Sequence, residues 1–437
     1  MPVFFTKELK NENEKYIELD GAGIIYPYVA NKDWNSVYRV EARLKLNVDF
    51  LALEDATKKM REKYPYFFSR ISKFGNKYVL KPAYSSNVVF KDAPMCKPFD
   101  LKGEETLLRV VYTQNTIGIE LFHAITDGHG AGAFLNELLK EYCNIVFSKY
   151  SYDYPIISEL KTNESLLKYD DIYEHIYNLG GKSVSRYLNS SYQFDLDCAT
   201  RLNSKSINVS SIALKNASHK YGVSVSMYLC AVQIYSILKC KNVKNKVIRI
   251  SVPVDIRKFF DFDTVRNASL YFLVEINPDK VTDFKSIVDS VKEQFNKNLT
   301  KEKMQDFAYS NVKCAKMKAY NLLPINLKKA VLNVGYTTFG ENQFTSTLTN
   351  LGIFELDKSV KNIVSSVYYV LGEEKTKPLN LSVSTYENET KIVVSSTIES
   401  IDFIKTMCEI LLCDDIVCDI ESIEKPINIT KIFNKVS

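Results

Sequence analysis

Residues 121–130 read LFHAITDGHG, in which His123 stands four positions before Asp127 and a glycine turn closes the run. The alternation of residues 116–122 is typical of a half-buried strand, and His123 continues the parity of its apolar positions. Apolar residues then recur at helical spacing over 134–142. The stretch therefore predicts a strand, an inward-facing histidine at its end, a tight turn and a helix, which together would hold an imidazole rigidly in a cleft.

The residue types in this stretch suit general base catalysis. The imidazole of His123 titrates near neutral pH and can therefore take a proton from a hydroxyl, amine or thiol. Asp127 is too close along the chain to be assumed a catalytic partner, so we expect its carboxylate to lock the turn through a partner elsewhere. Gly128 and Gly130 allow close approach of the backbone. A core histidine before an ordinary Asp–Gly turn would give the same short pattern, and this alternative stays open.

The composition is that of an ordinary globular protein, with 437 residues of which 46% are hydrophobic and 25% are charged. A chain of this length predicts two or three domains. The net charge of +5 is small for this size and gives no indication of a nucleic-acid partner. It is compatible with either an anionic or a neutral ligand.

The sequence shows no targeting signal and no membrane-spanning segment. Residues 1–8 become charged before an apolar segment can form, and no apolar run is long enough to cross a bilayer, which predicts a cytoplasmic location. The nine cysteines form no CxxC pair, and Cys408, Cys413 and Cys418 have no histidine nearby. We interpret these three as core thiols, and we predict neither a metal site nor a permanently bound cofactor.

Few elements are clear in the first half of the chain. The patterns predict a helix that begins at Asp49 and stops near Pro65, a hairpin turn at Gly75-Asn76, and a hairpin of strands 106–113 and 116–122. Residues 148–206 are polar and weakly periodic, which indicates a long crossover between two halves.

The second half alternates helices and strands irregularly. Predicted helices cover 209–220, 225–238, 283–298, 302–331 and 401–412, and predicted strands cover 247–254, 345–356, 364–370, 379–386 and 391–397. The mixture favours two α/β sandwich lobes over a doubly wound parallel sheet. The sequence contains no glycine-rich dinucleotide-binding motif and no P-loop.

The HxxxDG run, followed at once by a helix, resembles the chloramphenicol-acetyltransferase-like superfamily of acyltransferases and peptide-synthetase condensation domains. Three further segments carry the resemblance in the same order and separation. Residues 212–229 look like the helix pair early in the C-terminal lobes of that superfamily, 252–257 (VPVDIR) are similar to its Pro-Val-x-x-Arg segment, and 347–352 (TLTNLG) to its Ser/Thr-Asn-x-Gly strand. The resemblance covers most of the chain.

Within the superfamily, the chain is most similar to the microbial alcohol-acetyltransferase-like branch, on residues 18–22 with Tyr26-Pro27 and on 379–386. The sequence differs from two other branches of the superfamily in one motif each. Phe122 precedes the histidine where condensation domains usually have a second histidine, and the Asp-Phe-Gly-Trp-Gly signature of the plant acyltransferases is absent, the single tryptophan being Trp34. The departures leave the acyl donor and the acceptor open.

The resemblance implies two chloramphenicol-acetyltransferase-like lobes, residues 1–175 and 176–437, with an active-site tunnel between them. It further implies that His123 deprotonates an acceptor hydroxyl or amine, which attacks the carbonyl of an acyl thioester. Acyl-coenzyme A, or an acyl carrier protein, would supply the acyl group as a co-substrate. No covalent acyl-enzyme is needed if both substrates meet in one tunnel.

The resemblance also assigns roles to other residues. Asp127, beside Gly128 of the motif, would be structural and paired with a buried Arg257; the alternative for Arg257 is a solvated side chain at a strand end. Asn350 or Thr349 is a candidate donor to the tetrahedral oxyanion, although polar packing at a strand edge is as good an interpretation.

The remaining polar candidates are weaker. His129 is the main rival to His123 as the base, but its place after Gly128 predicts that it points away from the strand face. His175 and His219 are expected at the surface. The basic run Lys239, Lys241, Lys244 and Lys246 is typical of a solvated loop, with a contact to coenzyme A phosphates as the alternative.

We therefore expect an acyltransferase that acylates an alcohol with an acyl thioester, with a small-molecule acceptor and possible use of a carrier protein. Two rivals stay open at this point. One is amide-forming or carrier-protein-dependent transfer on the same fold, and the other is a non-catalytic member of the fold used for binding.

Overall fold

The computed structural model describes residues 8–11, 14–31, 34–83, 87–150, 167–184, 189–194, 202–241, 243–336, 342–374 and 377–423. Its strands and helices form the two-lobed α/β architecture expected from the sequence. Each lobe has one main sheet, a large hydrophobic core and covering helices, and the described residues form a third, smaller core where the helices Ile172–Leu179 and Lys301–Lys316 pack together.

The first lobe is built on a five-stranded mixed sheet in the order β13-β3-β8-β7-β6. Its strands are β3 Val37–Leu44, β6 Val89–Lys91, β7 Leu108–Tyr112, β8 Thr116–Phe122 and β13 Val364–Leu371. A four-stranded sheet in the order β1-β2-β5-β4 lies beside it, formed by β1 Glu8–Asn11, β2 Glu14–Glu18, β4 Ser69–Phe74 and β5 Lys77–Pro82.

The second lobe is built on a seven-stranded sheet in the order β11-β10-β12-β14-β15-β9-β16. Its strands are β9 Asn203–Ser210, β10 Ile248–Asp255, β11 Ser269–Ile276, β12 Ser346–Ile353, β14 Leu379–Tyr386, β15 Glu389–Ser396 and β16 Asp419–Ser422. β12 runs parallel to both of its neighbours, and the other pairs are antiparallel.

The described helices are α1 Tyr26–Val29, α2 Phe50–Lys63, α3 Gly128–Tyr150, α4 Ile172–Leu179, α5 Ser211–Lys220, α6 Val225–Cys240, α7 Arg257–Phe260, α8 Phe284–Asn298, α9 Lys301–Lys316, α10 Lys318–Leu322, α11 Ile325–Tyr336, α12 Lys358–Lys361 and α13 Ile401–Leu412. α2 and α3 pack together over the first main sheet, and α6 lies between α8 and α13 in the second lobe. Residues Asp49 and Ser224 cap α2 and α6 with their side chains, which explains where these helices begin.

Most predicted elements are confirmed, including the hairpin that leads to His123 and the helix Ile401–Leu412. The helix predicted over 209–220 begins two residues too early: Val209 and Ser210 end the strand β9, which was not predicted, and the side chain of Ser210 caps α5, which begins at Ser211. The helical stretch predicted over 302–331 is confirmed, but it is divided into α9, α10 and α11 because the chain breaks at Met317 and again before Pro324.

The strand β8 is not half-buried as its alternation predicted. All seven of its residues are buried, because helices cover one face and a buried ion network covers the other. In this network Glu120 accepts hydrogen bonds from Arg39 (2.7 Å) and Arg109 (3.3 Å), and from the backbone N–H of Cys96. The central position of β8 holds its end rigidly, which matters for His123.

A long crossover was predicted over 148–206. Three parts of it, residues 151–166, 185–188 and 195–201, lie outside the described residues. Its described part contains α4, a helix that the sequence analysis missed although Asp171 caps it with two backbone contacts. The proposed lobe boundary at residues 175 and 176 stays a prediction. The sheets do not follow it fully, because β13 pairs with β3 in the first lobe.

The two main sheets touch where β14 passes β13. The hydroxyl of Ser382 donates to the carbonyl oxygen of Tyr369 at 2.6 Å, and Ser384 donates to that of Val367 at 3.1 Å. No single helix in the described ranges has the length and apolar character to cross a membrane; α5 and α6 pass that test only as a pair bent by 82°.

Candidate functional site

A cavity of about 1830 Å³ lies between the lobes and is bordered by residues from both main sheets. Six residues singled out from the sequence border it: His123, Asp127, Gly128, Arg257, Thr349 and Asn350. The first three follow β8, and the others lie on or beside β10 and β12 of the second lobe. The fold thus brings together segments that are more than two hundred residues apart.

His123 occupies the first position after the central strand β8. Its backbone N–H donates to the carbonyl oxygen of Ser36 at 2.9 Å, which continues the pairing of β8 with β3 by one residue. The chain then turns and α3 begins at Gly128. The imidazole is therefore carried by the buried central strand of the main sheet of the first lobe.

The imidazole of His123 is held by contacts from three directions. Its Nδ1 lies 3.0 Å from Oδ1 of Asn267, a residue of the second lobe. The ring of Tyr26 stacks on it with centroids 4.6 Å apart, and the ring of Tyr38 lies at 5.1 Å. Among the described residues, none hydrogen-bonds Nε2. The ring is thus oriented while one nitrogen stays available to a substrate.

The pKa of His123 is lowered from its usual 6.5. Burial is the largest cause, because a desolvated imidazole resists protonation. The opposing influences of Asp127, of a hydrogen bond to the backbone of His123 itself and of Asn267 do not cancel it. The imidazole is therefore neutral at pH 7 and is able to accept a proton.

A pH profile should show this lowered pKa. If the protein transfers acyl groups, as the sequence predicts, the acidic limb of kcat/KM should have an apparent pKa below 6.5, because activity falls as His123 becomes protonated in the free protein. The same lowered pKa affects stability. As the pH falls through about 6.5, the histidine of the unfolded chain binds a proton before the folded one does, so the free energy of unfolding decreases. An acidic limb with an apparent pKa at or above 6.5 would contradict the assignment.

Asp127 and Arg257 form a buried ion pair between the lobes. The Nη2 atom of Arg257 lies 3.0 Å from both carboxylate oxygens of Asp127. The same carboxylate accepts the backbone N–H groups of Gly130 at 3.1 Å and of Ala268 at 2.7 Å. Arg257 also donates to Asp255 at 2.8 Å. The carboxylate thus caps the start of α3 and binds the second lobe.

The pKa of Asp127 is lowered despite its burial. Desolvation alone would raise this pKa, but the charge of Arg257 and the two backbone N–H donors outweigh it. A carboxylate that stays ionised in this position does not exchange protons with a substrate near pH 7. Its contacts fit the structural role expected for it.

The two glycines of the motif meet different neighbours. A Cβ atom at Gly130 would overlap the carbonyl oxygen of Val265 and the hydroxyl of Thr126, both of them fixed parts of the lobe contact. A Cβ atom at Gly128 would overlap the end of the Leu351 side chain, which is able to move. The close approach of backbones that the motif suggested therefore falls on Gly130.

Thr349 and Asn350 lie on β12, which runs parallel to β14. The amide nitrogen of Asn350 donates to Ser226 Oγ at 3.0 Å, and its Oδ1 accepts the backbone N–H of Gly352 at 2.9 Å. Both residues border the cavity that contains His123, but Asn350 already has partners that hold it. Their role as oxyanion donors stays a prediction.

The other candidates lie elsewhere or differ in character. His129 also borders the cavity, with 54% of its side chain exposed and its Nδ1 3.9 Å from Asp255. His175 and His219 are exposed, as expected. The basic run Lys239, Lys241, Lys244 and Lys246 contributes nothing to the cavity border.

The cysteine prediction holds only in part. Cys408 is buried and Cys418 is half-buried, but Cys413 is exposed, because it is the residue just beyond the end of α13, so its assignment to the core was wrong. Within the described ranges, His, Cys, Asp and Glu side chains form no group of three that could hold a metal ion.

Sequence reasoning missed Asn267, and it noticed Asp20 only as part of a resembling segment. Asp20 accepts the side-chain N–H of Asn267 at 3.1 Å and its backbone N–H at 3.2 Å. Nothing in the local pattern around Asn267 marks it, since its contacts come from chain segments 144 and 247 residues away. Tyr26, which stacks on His123, was likewise quoted only for resemblance.

Comparison with known proteins identifies the fold. No family model and no curated protein sequence matches the chain. Its structure is similar to that of polyketide synthase associated protein 5 from Mycobacterium tuberculosis (TM-score 0.61, 13% identity, 90% of this chain and 96% of that one). It is also similar to the trichothecene 15-O-acetyltransferase of Fusarium sporotrichioides (TM-score 0.60, 12% identity, 94% and 98%).

A third similar structure is the starter condensation domain of rhizomide synthetase, as a mutant in complex with C8-CoA and Leu-SNAC (TM-score 0.59, 9% identity, 91% and 93%). At these identities the matches establish the fold alone. The chain has the same two-lobed fold as this O-acetyltransferase and this condensation domain.

Proposed function

We propose that this protein is an acyltransferase that moves an acyl group from an acyl thioester to the hydroxyl of an alcohol. The proposed thioester is acyl-coenzyme A. The observation that carries the proposal is the state of His123: a neutral imidazole at the end of a rigid strand, bordering a cavity between lobes, with Nε2 unengaged by any described residue. These are the requirements for a general base acting on a bound nucleophile.

The proposed reaction has two steps. Nε2 of His123 takes the proton of the acceptor hydroxyl as its oxygen attacks the thioester carbonyl, which gives a tetrahedral oxyanion. The oxyanion collapses, the carbon–sulfur bond breaks, and the departing thiolate takes the proton from the imidazolium. Thr349 and Asn350 are the proposed donors to the oxyanion, a contact whose removal costs about 3 kcal/mol in other enzymes.

Direct attack is favoured over an acyl-enzyme. In the described part of the chain, no serine hydroxyl and no cysteine thiol hydrogen-bonds the His123 imidazole, so no side chain there has the activation that a covalent nucleophile needs. The cavity, at about 1830 Å³, exceeds the usual range for a single ligand of about 300–1,000 Å³, which fits two substrates side by side.

The donor and the acceptor are supported by analogy with the similar structures. The condensation domain of similar fold is described in complex with C8-CoA, and the trichothecene enzyme is named as an O-acetyltransferase. Lys258 borders the cavity beside Arg257 and offers a positive charge to the phosphates of coenzyme A. Amide formation and transfer from a carrier protein would use the same arrangement of residues. The experiment below distinguishes them from acylation of an alcohol by acyl-coenzyme A.

A thioester-consumption screen tests the proposal. Purified protein is given acetyl-coenzyme A and longer acyl-coenzyme A donors with panels of alcohols and amines, and thiol release and the acylated product are both measured. Release that depends on alcohols supports O-acylation, and release with amines alone would replace it by amide formation. A carrier-protein thioester is the matched donor control. Thermal stabilisation by acyl-coenzyme A with no product under any condition would favour the non-catalytic alternative.

The absence of an acyl-enzyme is a separate expectation. After incubation with donor alone, intact-protein mass spectrometry should show no added acyl mass, and initial rates should fit a ternary complex, with intersecting lines in double-reciprocal plots. Parallel lines together with a trapped acyl adduct would overturn direct attack and leave acyl transfer itself standing.

A further inference from the structure

Two buried side chains, Asp20 of the first lobe and Asn267 of the second, form a chain that ends on the candidate base, His123. The carboxylate of Asp20 binds the side-chain amide of Asn267 at 3.1 Å, and the amide oxygen of Asn267 lies 3.0 Å from Nδ1 of His123. Asp20 and Asn267 are both fully buried. Neither residue has a role in the proposed reaction so far.

Asp20 is itself firmly held. One of its oxygens accepts the backbone N–H groups of Ala22 and Gly23, and the other accepts both N–H groups from Asn267. The guanidinium of Arg266 lies 3.5 Å from the same carboxylate. A carboxylate with these donors acts as a hydrogen-bond acceptor only.

This arrangement determines how the Asn267 amide is oriented. Because Asp20 only accepts, the NH2 group of Asn267 must face it, and the amide oxygen must face the imidazole. An amide oxygen is also only an acceptor, so Nδ1 of His123 must be the donor. In a neutral imidazole the proton then lies on Nδ1, and Nε2 keeps its lone pair.

We propose that Asn267 and Asp20 are positioning residues that hold His123 in the tautomer with its proton on Nδ1. The assignment of this role rests on the proposed function, whereas the tautomer itself does not. No proton moves along the chain: the amide donates to Asp20 and accepts from Nδ1 before and after His123 takes a proton. Because the amide is uncharged, it orients the ring in both states without adding a negative charge beside it.

Nitrogen NMR of the imidazoles tests the tautomer independently of activity. The chain has four histidines, so ¹⁵N-histidine labelling gives few signals, and His123→Gln assigns the relevant pair. Above pH 7 the wild type should show a protonated, pyrrole-like Nδ1 and an unprotonated, pyridine-like Nε2 for His123. Asn267→Ala leaves the imidazole its hydrogen bond to the backbone of His123, so both shifts should move part of the way toward a mixture of tautomers.

Asp20→Asn is the sharper variant because it keeps the size of the side chain. An amide at position 20 can accept or donate, so it no longer forces the Asn267 orientation, and we expect a mixture of tautomers here too. Asn136→Ala is the matched control, since Asn136 borders the same cavity but bonds the backbone of Asp357 at 3.0 Å. Circular dichroism and thermal melting identify variants that fail to fold.

Kinetics then test the positioning role. Asn267→Ala and Asp20→Asn should lower kcat at least about 10-fold with little change in the KM for the thioester, within the about 10⁴-fold loss known for a wrong histidine tautomer in a serine protease. Unchanged His123 shifts in both folded variants would overturn the proposal. Changed shifts in a protein that transfers no acyl group would leave the tautomer lock intact and contradict the proposed function instead.

Discussion

Replacing His123 with alanine should lower kcat/KM for acyl transfer by about two to four orders of magnitude, the usual loss when a general base is removed. The fold should survive, because the imidazole lies beyond the end of β8 and borders a cavity, so its removal leaves the two cores intact. Thiol release by the purified variant measures the rate, and circular dichroism with thermal melting checks the fold. Turnover close to that of the wild type would remove His123 from the mechanism.

His129→Ala is the matched control for this experiment. His129 borders the same cavity six residues further on, with 54% of its side chain exposed and only a 3.9 Å approach to Asp255. Its loss should change kcat/KM little, because its ring makes no hydrogen bond to a described residue and its approach to Asp255 is too long for one. Activity lost in His129→Ala but kept in His123→Ala would move the base to position 129.

Much of the site could be predicted because its parts are local in sequence. The strand, turn and helix around the motif each carry their own pattern, and the segments VPVDIR and TLTNLG have recognisable order in the second half. The helix caps at Asp49 and Ser224 are local as well. Such features depend on neighbours a few residues away, which a sequence displays directly.

The missed features depend on pairing between distant segments. Asn267 bonds His123 and Asp20 across 144 and 247 residues, and no local periodicity encodes such contacts. The burial of β8 on both faces was missed for the same reason. It depends on Glu120, which is buried because it binds Arg39 of β3 and Arg109 of β7. The return of β13 to the first sheet is likewise set by its fit against β3.

Replacing Asp127 with alanine should destabilise the protein by about 3 to 5 kcal/mol, the usual cost of leaving one member of a buried ion pair alone. Arg257 is nearly buried and would keep Asp255, together with the carbonyl oxygens of Thr264 and Arg266, which favours the lower end of this range. The backbone N–H groups that Asp127 accepts would lose their partner too. Urea denaturation followed by circular dichroism measures the free energy of unfolding, and activity should fall because the turn after His123 loosens.

The double variant Asp127→Ala/Arg257→Ala separates the ion pair from these other losses. If the 3.0 Å contact couples the two residues, the double variant should be less destabilised than the sum of the single variants, because removing the second charge relieves the unpaired first one. Asp263→Ala is the control: Asp263 pairs with Lys168 at 3.1 Å, but both side chains are largely exposed, so little stability should be lost. If the losses in free energy of unfolding at positions 127 and 257 were additive, the two side chains would not be coupled. The stabilising contacts of Asp127 would then be those with the backbone N–H groups of Ala268 and Gly130.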